Sequence, residues 1–331
     1  MNTRPQYTLP QRPRLVAEIK DEETENAVVS GQFQITSDSF SPAELARILR
    51  SLNGEKSLDE ILQSEPSLSQ SDISALVESL DDAGLIDDTQ PVVCRPGSEV
   101  ILEIEELVED WCDRTIYEND FWRLCLNAEK PGDLPKKVAI GMVIENWHFL
   151  FRESYFDAPV LSYVPNTQVR LLLNEFFSEE YGHDEILLKS LNSVGISRED
   201  MADAIPLPET MGLCNALSYW AHNDPLFFFT TLGLLEGQGM KKDSFIEACE
   251  RCRLAEDFVG PLRTHANINI GAAHGNLTRA IFKEIPALDE ETITRLKRQI
   301  PLFVELYDNF YTGVFRYYTS DGSLLRRVSA L

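Results

Sequence analysis

The stretch "NEFFSEEYGHDEILLKSL", Asn174 to Leu191, decides the fold class, because apolar residues recur in it at helical spacing and two polar residues share their face. Stepping three or four residues at a time from Leu173 gives Phe176, Glu180, His183, Leu187 and Leu191, one face of an amphipathic helix. Glu180 and His183 lie inside the apolar stripe, whereas Glu175 and Glu179 fall toward its edge. A buried carboxylate and imidazole are costly unless paired or ligated. A Glu–His hydrogen bond is the ordinary answer; a bound metal is the other.

The same anomaly recurs along the chain. "PLFFFTTLGLLEGQG" is apolar along almost its whole length and then presents Glu236, one turn beyond Leu232. "FVGPLRTHANINIGAAHGNL" places His265 on the stripe of Phe258, Leu262 and Asn269. Several helices that each bring one carboxylate or imidazole into a core imply a metal-binding helical domain. "AIGMVIENWHFLF" adds Glu145-x-x-His148 on a helix apolar nearly all round, and two Glu-x-x-His motifs with further glutamates are the ligand recipe of diiron bundles. Glu145 and His148 are therefore candidates for the wall of a pocket or a second metal position, against plain buried hydrogen bonding. Arg152 and Arg263, on or near the same helices, are candidates to bind a substrate carboxylate, against helix-end or surface ion pairs. Tyr311, in the aromatic tail "FVELYDNFYTGVFRYYTS", is a candidate pocket residue.

Periodicity predicts helices over 98–127, 134–156, 167–193, 209–221, 225–236, 242–255, 257–282 and 289–318, with no strand pattern, so residues 98–331 form an all-α domain. "DDTQPVVCRPGSE" reads as its connection to what precedes, with the linker at 91–97. Residues 1–90 have a different logic. "RLVAEIK" and "AVVSGQFQIT" flank the acidic turn "DEETEN" as a hairpin, followed by three short helices opened by serine caps and by "GLID", which turns back toward a strand. The expected fold is a small α+β winged-helix-like domain ahead of a mainly α bundle.

The chain has 331 residues, with 54 acidic against 30 basic side chains and a formal net charge of -24. Nucleic acid and anionic membrane surfaces are poor partners for such a surface, and the third helix, where a winged helix would read DNA, carries no Lys or Arg. No apolar run is long enough to span a bilayer, and "MNTRPQYTLPQRPRL" lacks a signal-peptide core, so the expectation is a cytoplasmic protein. Six scattered cysteines, including the helical pair Cys249-x-x-Cys252, are expected to be free thiols.

The order Glu180-x-x-His183, Glu236, His265 resembles the heme-oxygenase-like diiron oxidases, or iron-containing redox enzymes, over roughly Leu134 to Tyr318. That resemblance implies a heme-oxygenase-like bundle and Fe(II), one or two ions per chain, held by Glu180, His183, Glu236 and His265, with O2 as co-substrate. The family's last ligand helix reads His, Asp four residues on, then His three further; here those positions hold Asn269 and Ala272. Asn269, or His274 through a break between Gly271 and Gly275, are the residues left to complete a second position, and otherwise half of the dimetal site is weakened. Residues 10–88 resemble the peptide-recognition element of ribosomal-peptide biosynthesis, the fold of the pyrroloquinoline quinone peptide chaperone, carried by "LNGEKSLDEIL" and "PSLSQSDISALVESLDDAGLI". It implies a carrier or leader peptide added as a strand beside the hairpin. The combined expectation is a non-heme iron oxidase or oxygenase acting on an amino-acid-derived, peptide-tethered substrate. A metal-free quinone-synthesis oxidase and a non-catalytic docking protein remain as alternatives, and a homodimer is left open.

Overall fold

The computed structural model describes residues 9–24, 27–30, 33–89, 94–163, 166–235, 244–271 and 276–328, in two compact units, Met1–Val92 and Val93–Leu331. Local sequence signals build the first unit. Ser41 and Ser57 each close a reciprocal capping box with the glutamate three residues on, Glu44 and Glu60, and Ser69 accepts from the backbone N–H of Asp72. They start α1 (Pro42–Ser51), α2 (Leu58–Ser64) and α3 (Gln70–Asp82), whose buried faces meet around Leu45, Ile48, Ile61, Ile73 and Val77.

The strands are more elaborate than one hairpin. β1 (Pro13–Leu15) pairs antiparallel with β5 (Ile86–Asp88), so "GLID" does return to a strand, while β2 (Ile19–Thr24), β3 (Ala27–Ser30) and β4 (Phe33–Thr36) form an antiparallel sheet in the order β2-β3-β4. "RLVAEIK" thus divides between two sheets, and most of "DEETEN" is strand rather than turn. Backbone pairing is indifferent to side-chain charge when a strand lies at a sheet edge, as β2 does.

The second unit is helical: α4 (Gly97–Arg114), α5 (Asp120–Asn127), α6 (Lys136–Phe151), α7 (Ser154–Val160), α8 (Thr167–Glu180), α9 (His183–Ser193), α10 (Arg198–Asp203), α11 (Pro208–Asn223), α12 (Pro225–Leu235), α13 (Ser244–Arg251), α14 (Glu256–Gly271), α15 (Leu277–Lys283) and α16 (Glu290–Thr319). Two residues, Cys94–Arg95 (β6), pair with Leu288–Asp289 (β7), and Gly97 N–H donates to Ile285 C=O, so residues 94–97 belong to this unit rather than to a linker.

Among the described residues three predicted helices are each broken in two. The first breaks at Thr115, whose hydroxyl donates back to Trp111 C=O, and restarts at Asn119, which caps α5 and donates to Asp308 and Thr312 of α16. The second breaks at Arg152–Glu153 and the third at Tyr181–Gly182; in the predicted helix 257–282, residues 272–275 lie outside the described residues. α6 and α12, apolar nearly all round, are the central helices: Phe227, Phe228 and Phe229 of α12 are completely buried. α9 packs against α14 and α6, and α11 against α7, α6 and α16. All six cysteines are free, and burial pushes the thiols of Cys112, Cys125 and Cys214 up to about 12, out of the reactive range. Among the described residues no helix is long and apolar enough to cross a membrane.

Candidate metal and substrate site

The stripe that opened the sequence is buried as its spacing predicts, but on two helices. Leu173, Phe176 and Glu180 face inward from α8, and His183, Leu187 and Leu191 from α9, while Glu175 and Glu179 are exposed. Between them Gly182 takes φ +98°, a left-handed conformation that costs a side-chain-bearing residue but not glycine. This turn makes Glu180 the last residue of one helix and His183 the first of the next. Both are 4% exposed, and His183 Nδ1 lies 2.7 Å from Glu180 Oε2.

That short contact is not an aligned hydrogen bond: Nδ1 of His183 is buried and, among the described residues, meets no partner in hydrogen-bonding geometry. Two donors that point past one another at this range resemble ligands of one ion, since neighbouring donors at ~2.1 Å from a metal stand about 3 Å apart. The His183 and His265 rings meet edge to face, with centroids 4.9 Å apart, where α9 packs on α14. Ser190 of α9 fixes that packing by donating to Phe258 C=O of α14.

Glu180 and His265 line a half-open cavity of about 230 Å³. Two carboxylates that sequence reasoning missed line it too: Glu153, 9% exposed, at the start of α7, and Asp157, 2% exposed, one turn on. Reading one helix through to Phe156 placed Asp157 in a loop and hid the change of face at Arg152–Glu153. The spacing Glu153, Phe156, Asp157, Val160 is the signal that a helix restarted at that turn would have shown. A second depression, of about 290 Å³, shares Leu150, Glu153, Asp157 and Glu180 with the cavity. Phe151 and Tyr181, which are 52% and 86% exposed, carry it to the surface.

The other predicted residues divide. Tyr311 is buried and lines the cavity. Glu145 lies outside the cavity lining and is a structural tie: its carboxylate accepts from Leu207 N–H (3.0 Å), the Thr210 hydroxyl (2.5 Å) and the Tyr318 hydroxyl (3.0 Å). Burial still raises its affinity for a proton. Gly141 allows this tie, because a Cβ there would meet the Tyr318 ring at 2.2 Å.

His148 is buried beside Glu145's helix turn, with Arg152 Nη1 3.1 Å from its Nδ1, and burial with that guanidinium lowers its pKa to about 3. Arg152 also donates to His148 C=O, and Arg263 forms ion pairs with Glu250 and Glu256 at the surface, so neither lines the cavity to receive a carboxylate. Helix-end and surface pairing win for both. Glu236 and His274 lie outside the described residues, and Asn269 is placed by its backbone, one turn beyond His265 in α14.

Two imidazoles with carboxylates, largely buried, are the donor types that suit Fe(II). Among the described residues no three His, Cys, Asp or Glu side chains converge closely enough to hold an ion. The donor types and the Glu180–His183 spacing suit iron, and Glu236, the further ligand the resemblance implies, lies outside the described residues.

The profile of the iron-containing redox enzyme family matches residues 146–308, just under half of the chain and the segment that carries Glu153, Asp157, Glu180, His183 and His265. No curated protein matches. A domain of unknown function with a heme oxygenase-like fold from Shewanella denitrificans superposes with a TM-score of 0.55 at 17% identity, covering 67% of this chain and 96% of that one. A TenA homologue from Pseudomonas syringae pv. tomato gives a TM-score of 0.49 at 13% identity, over 65% and 92% of the two chains. The helical unit has a heme oxygenase-like fold, and the family match supports a redox function with iron.

Proposed function

We propose that the chain is an O2-dependent non-heme iron oxidase or oxygenase. The observation that carries this reading is the Glu180–His183 pair beside His265 at a largely apolar cavity, within the segment matched by the iron-containing redox family. Glu180, His183 and His265 would hold the metal, with Glu153 and Asp157 as carboxylates at the same cavity and Glu236 as a further ligand. Fe(II) held by two imidazoles and carboxylates supplies redox chemistry and open positions for O2.

The chain's own residues do the rest. Tyr307, Phe310, Tyr311, Trp122 and Phe245 hold an apolar body and exclude water, which strengthens the polar contacts at the acidic wall. The substrate is amino-acid-derived. Peptide tethering would come through the first unit, whose β2 and β4 are sheet edges onto which an extended carrier segment could add, raising the effective concentration of its attached residue.

Anaerobic Fe(II) loading followed by metal counting tests the reading. One iron or more per chain, lost in His183→Ala and His265→Ala variants that remain folded, is expected. A wild type that takes up no iron would leave the metal-free oxidase or the docking protein.

A further inference from the structure

The aromatic side of the cavity holds three oxidisable rings in a row. Trp122 of α5 and Tyr311 of α16 meet edge to face with ring centroids 5.0 Å apart, and Tyr307, one turn before Tyr311 in α16, lies 5.1 Å from it. All three line the cavity that Glu180 and His265 also line. Tyr311 is 3% exposed, and its hydroxyl hydrogen-bonds to that of Tyr307, which is half-buried. Burial, with Tyr307, Cys112 and Tyr117 as neighbours, keeps the Tyr311 phenol protonated well above the usual tyrosine range. A phenylalanine at 311 would pack against the same rings without burying a hydroxyl, so packing alone does not account for the phenol.

We propose that Trp122, Tyr311 and Tyr307 form a relay that carries one-electron oxidising equivalents from the cavity to Tyr307, where a soluble thiol restores the chain. The oxidant is an oxygen-centred radical, formed when O2 is reduced in the cavity with no substrate to consume it. It takes a hydrogen atom, one electron with one proton, from the Tyr311 hydroxyl. The Tyr311 phenoxyl then takes a hydrogen atom from Tyr307 along their hydrogen bond, which restores one phenol and moves the radical to the other. The thiol gives its S–H hydrogen to Tyr307, and two thiyl radicals pair as a disulfide. Where the oxidant takes an electron from the Trp122 indole instead, Tyr311 returns it and loses its phenol proton to solvent.

The relay rests on the proposed iron site only for the source of the oxidant. The order of the rings, their spacing and the phenol pair belong to the chain itself. Its effect is to draw an oxidising equivalent away from Glu180 and His265, at the same cavity, on turnovers that lack a substrate.

Pulse radiolysis of the metal-free chain with azide radicals, which oxidise tryptophan and tyrosine directly, tests the relay apart from the iron reading. The expected result is a phase, independent of protein concentration, in which tryptophan radical gives way to tyrosine radical. Its amplitude should fall in Trp122→Phe, and its rate should drop roughly tenfold in Tyr311→Phe. Tyr307→Phe should keep the phase but slow the repair of the tyrosine radical by added thiol severalfold. An amplitude unchanged in Trp122→Phe, a rate unchanged in Tyr311→Phe or a repair rate unchanged in Tyr307→Phe would overturn the relay. If Tyr311→Phe does not fold, the other two variants decide. Iron content after anaerobic loading, measured on separate samples, reports on the iron reading alone.

Discussion

Two Glu-x-x-His motifs occupy the core of the helical unit, and the structure makes different things of them. Glu145 and His148 sit within the unbroken helix α6, where three donors from α11, the turn before it and α16 fill the carboxylate. Glu180 and His183 flank a glycine turn, touch each other without hydrogen-bond alignment, and stand beside His265 at a cavity. A buried polar pair served by donors from other helices is a tie between helices. The other pair stands at a break between two helices, and its Glu180 lines a cavity.

The comparison breaks first at the tie. Glu145→Ala would leave the Tyr318 and Thr210 hydroxyls and the Leu207 N–H buried without their acceptor, at ~1–3 kcal/mol for each orphaned group. A loss of about 3 kcal/mol or more, read from denaturant unfolding of the helical unit, is expected. Glu180→Ala is expected instead to lose Fe(II) binding, and a Glu180→Ala protein that kept its iron would erase the distinction.

Gly182→Ala is expected to cost less than loss of the tie, at about 1–2 kcal/mol, because alanine at φ +98° is strained. Unlike an ordinary surface change it should also weaken Fe(II) binding, by shifting Glu180 against His183. Iron affinity unchanged in a destabilised Gly182→Ala protein would show that the turn does not position the pair.

A smaller effect is a pH dependence on the structural side. The pKa of His148 is lowered to about 3 by burial and Arg152, against an ordinary 6.5. The unfolded chain therefore binds this proton over a range in which the folded one does not. Stability from His148 is complete above pH 6.5 and falls as pH drops toward 3, by up to ~1.4 kcal/mol per unit. His148→Gln should flatten the acid limb of the stability profile, and an unchanged limb would place the acid sensitivity elsewhere. The smallest expected effect is Arg263→Ala, which removes solvent-screened surface ion pairs with Glu250 and Glu256 and should leave the unfolding midpoint nearly unchanged without altering ligand binding in the cavity.

What the sequence reveals is what is local. The stripe from Leu173 to Leu191 and the caps at Ser41, Ser57 and Ser69 are patterns within a few residues, and the helices follow them. Helix breaks at Thr115, Arg152–Glu153 and Gly182 escape the pattern, since apolar spacing can continue across a turn that preserves the inward face. Glu153 and Asp157 were hidden by one such break. The partners of Glu145 were hidden by distance, because Leu207 and Tyr318 lie 62 and 173 residues away along the chain. Burial of a carboxylate can be read from spacing, but what satisfies it cannot.

The most direct test of the central claim sets the two motifs against each other: anaerobic Fe(II) titration of Glu180→Gln and Glu145→Gln, each checked for folding. The account predicts that Glu180→Gln loses iron binding while Glu145→Gln, though less stable, retains it at the wild-type stoichiometry. Retention by Glu180→Gln with loss in a folded Glu145→Gln protein would put the metal at the other motif and contradict the account.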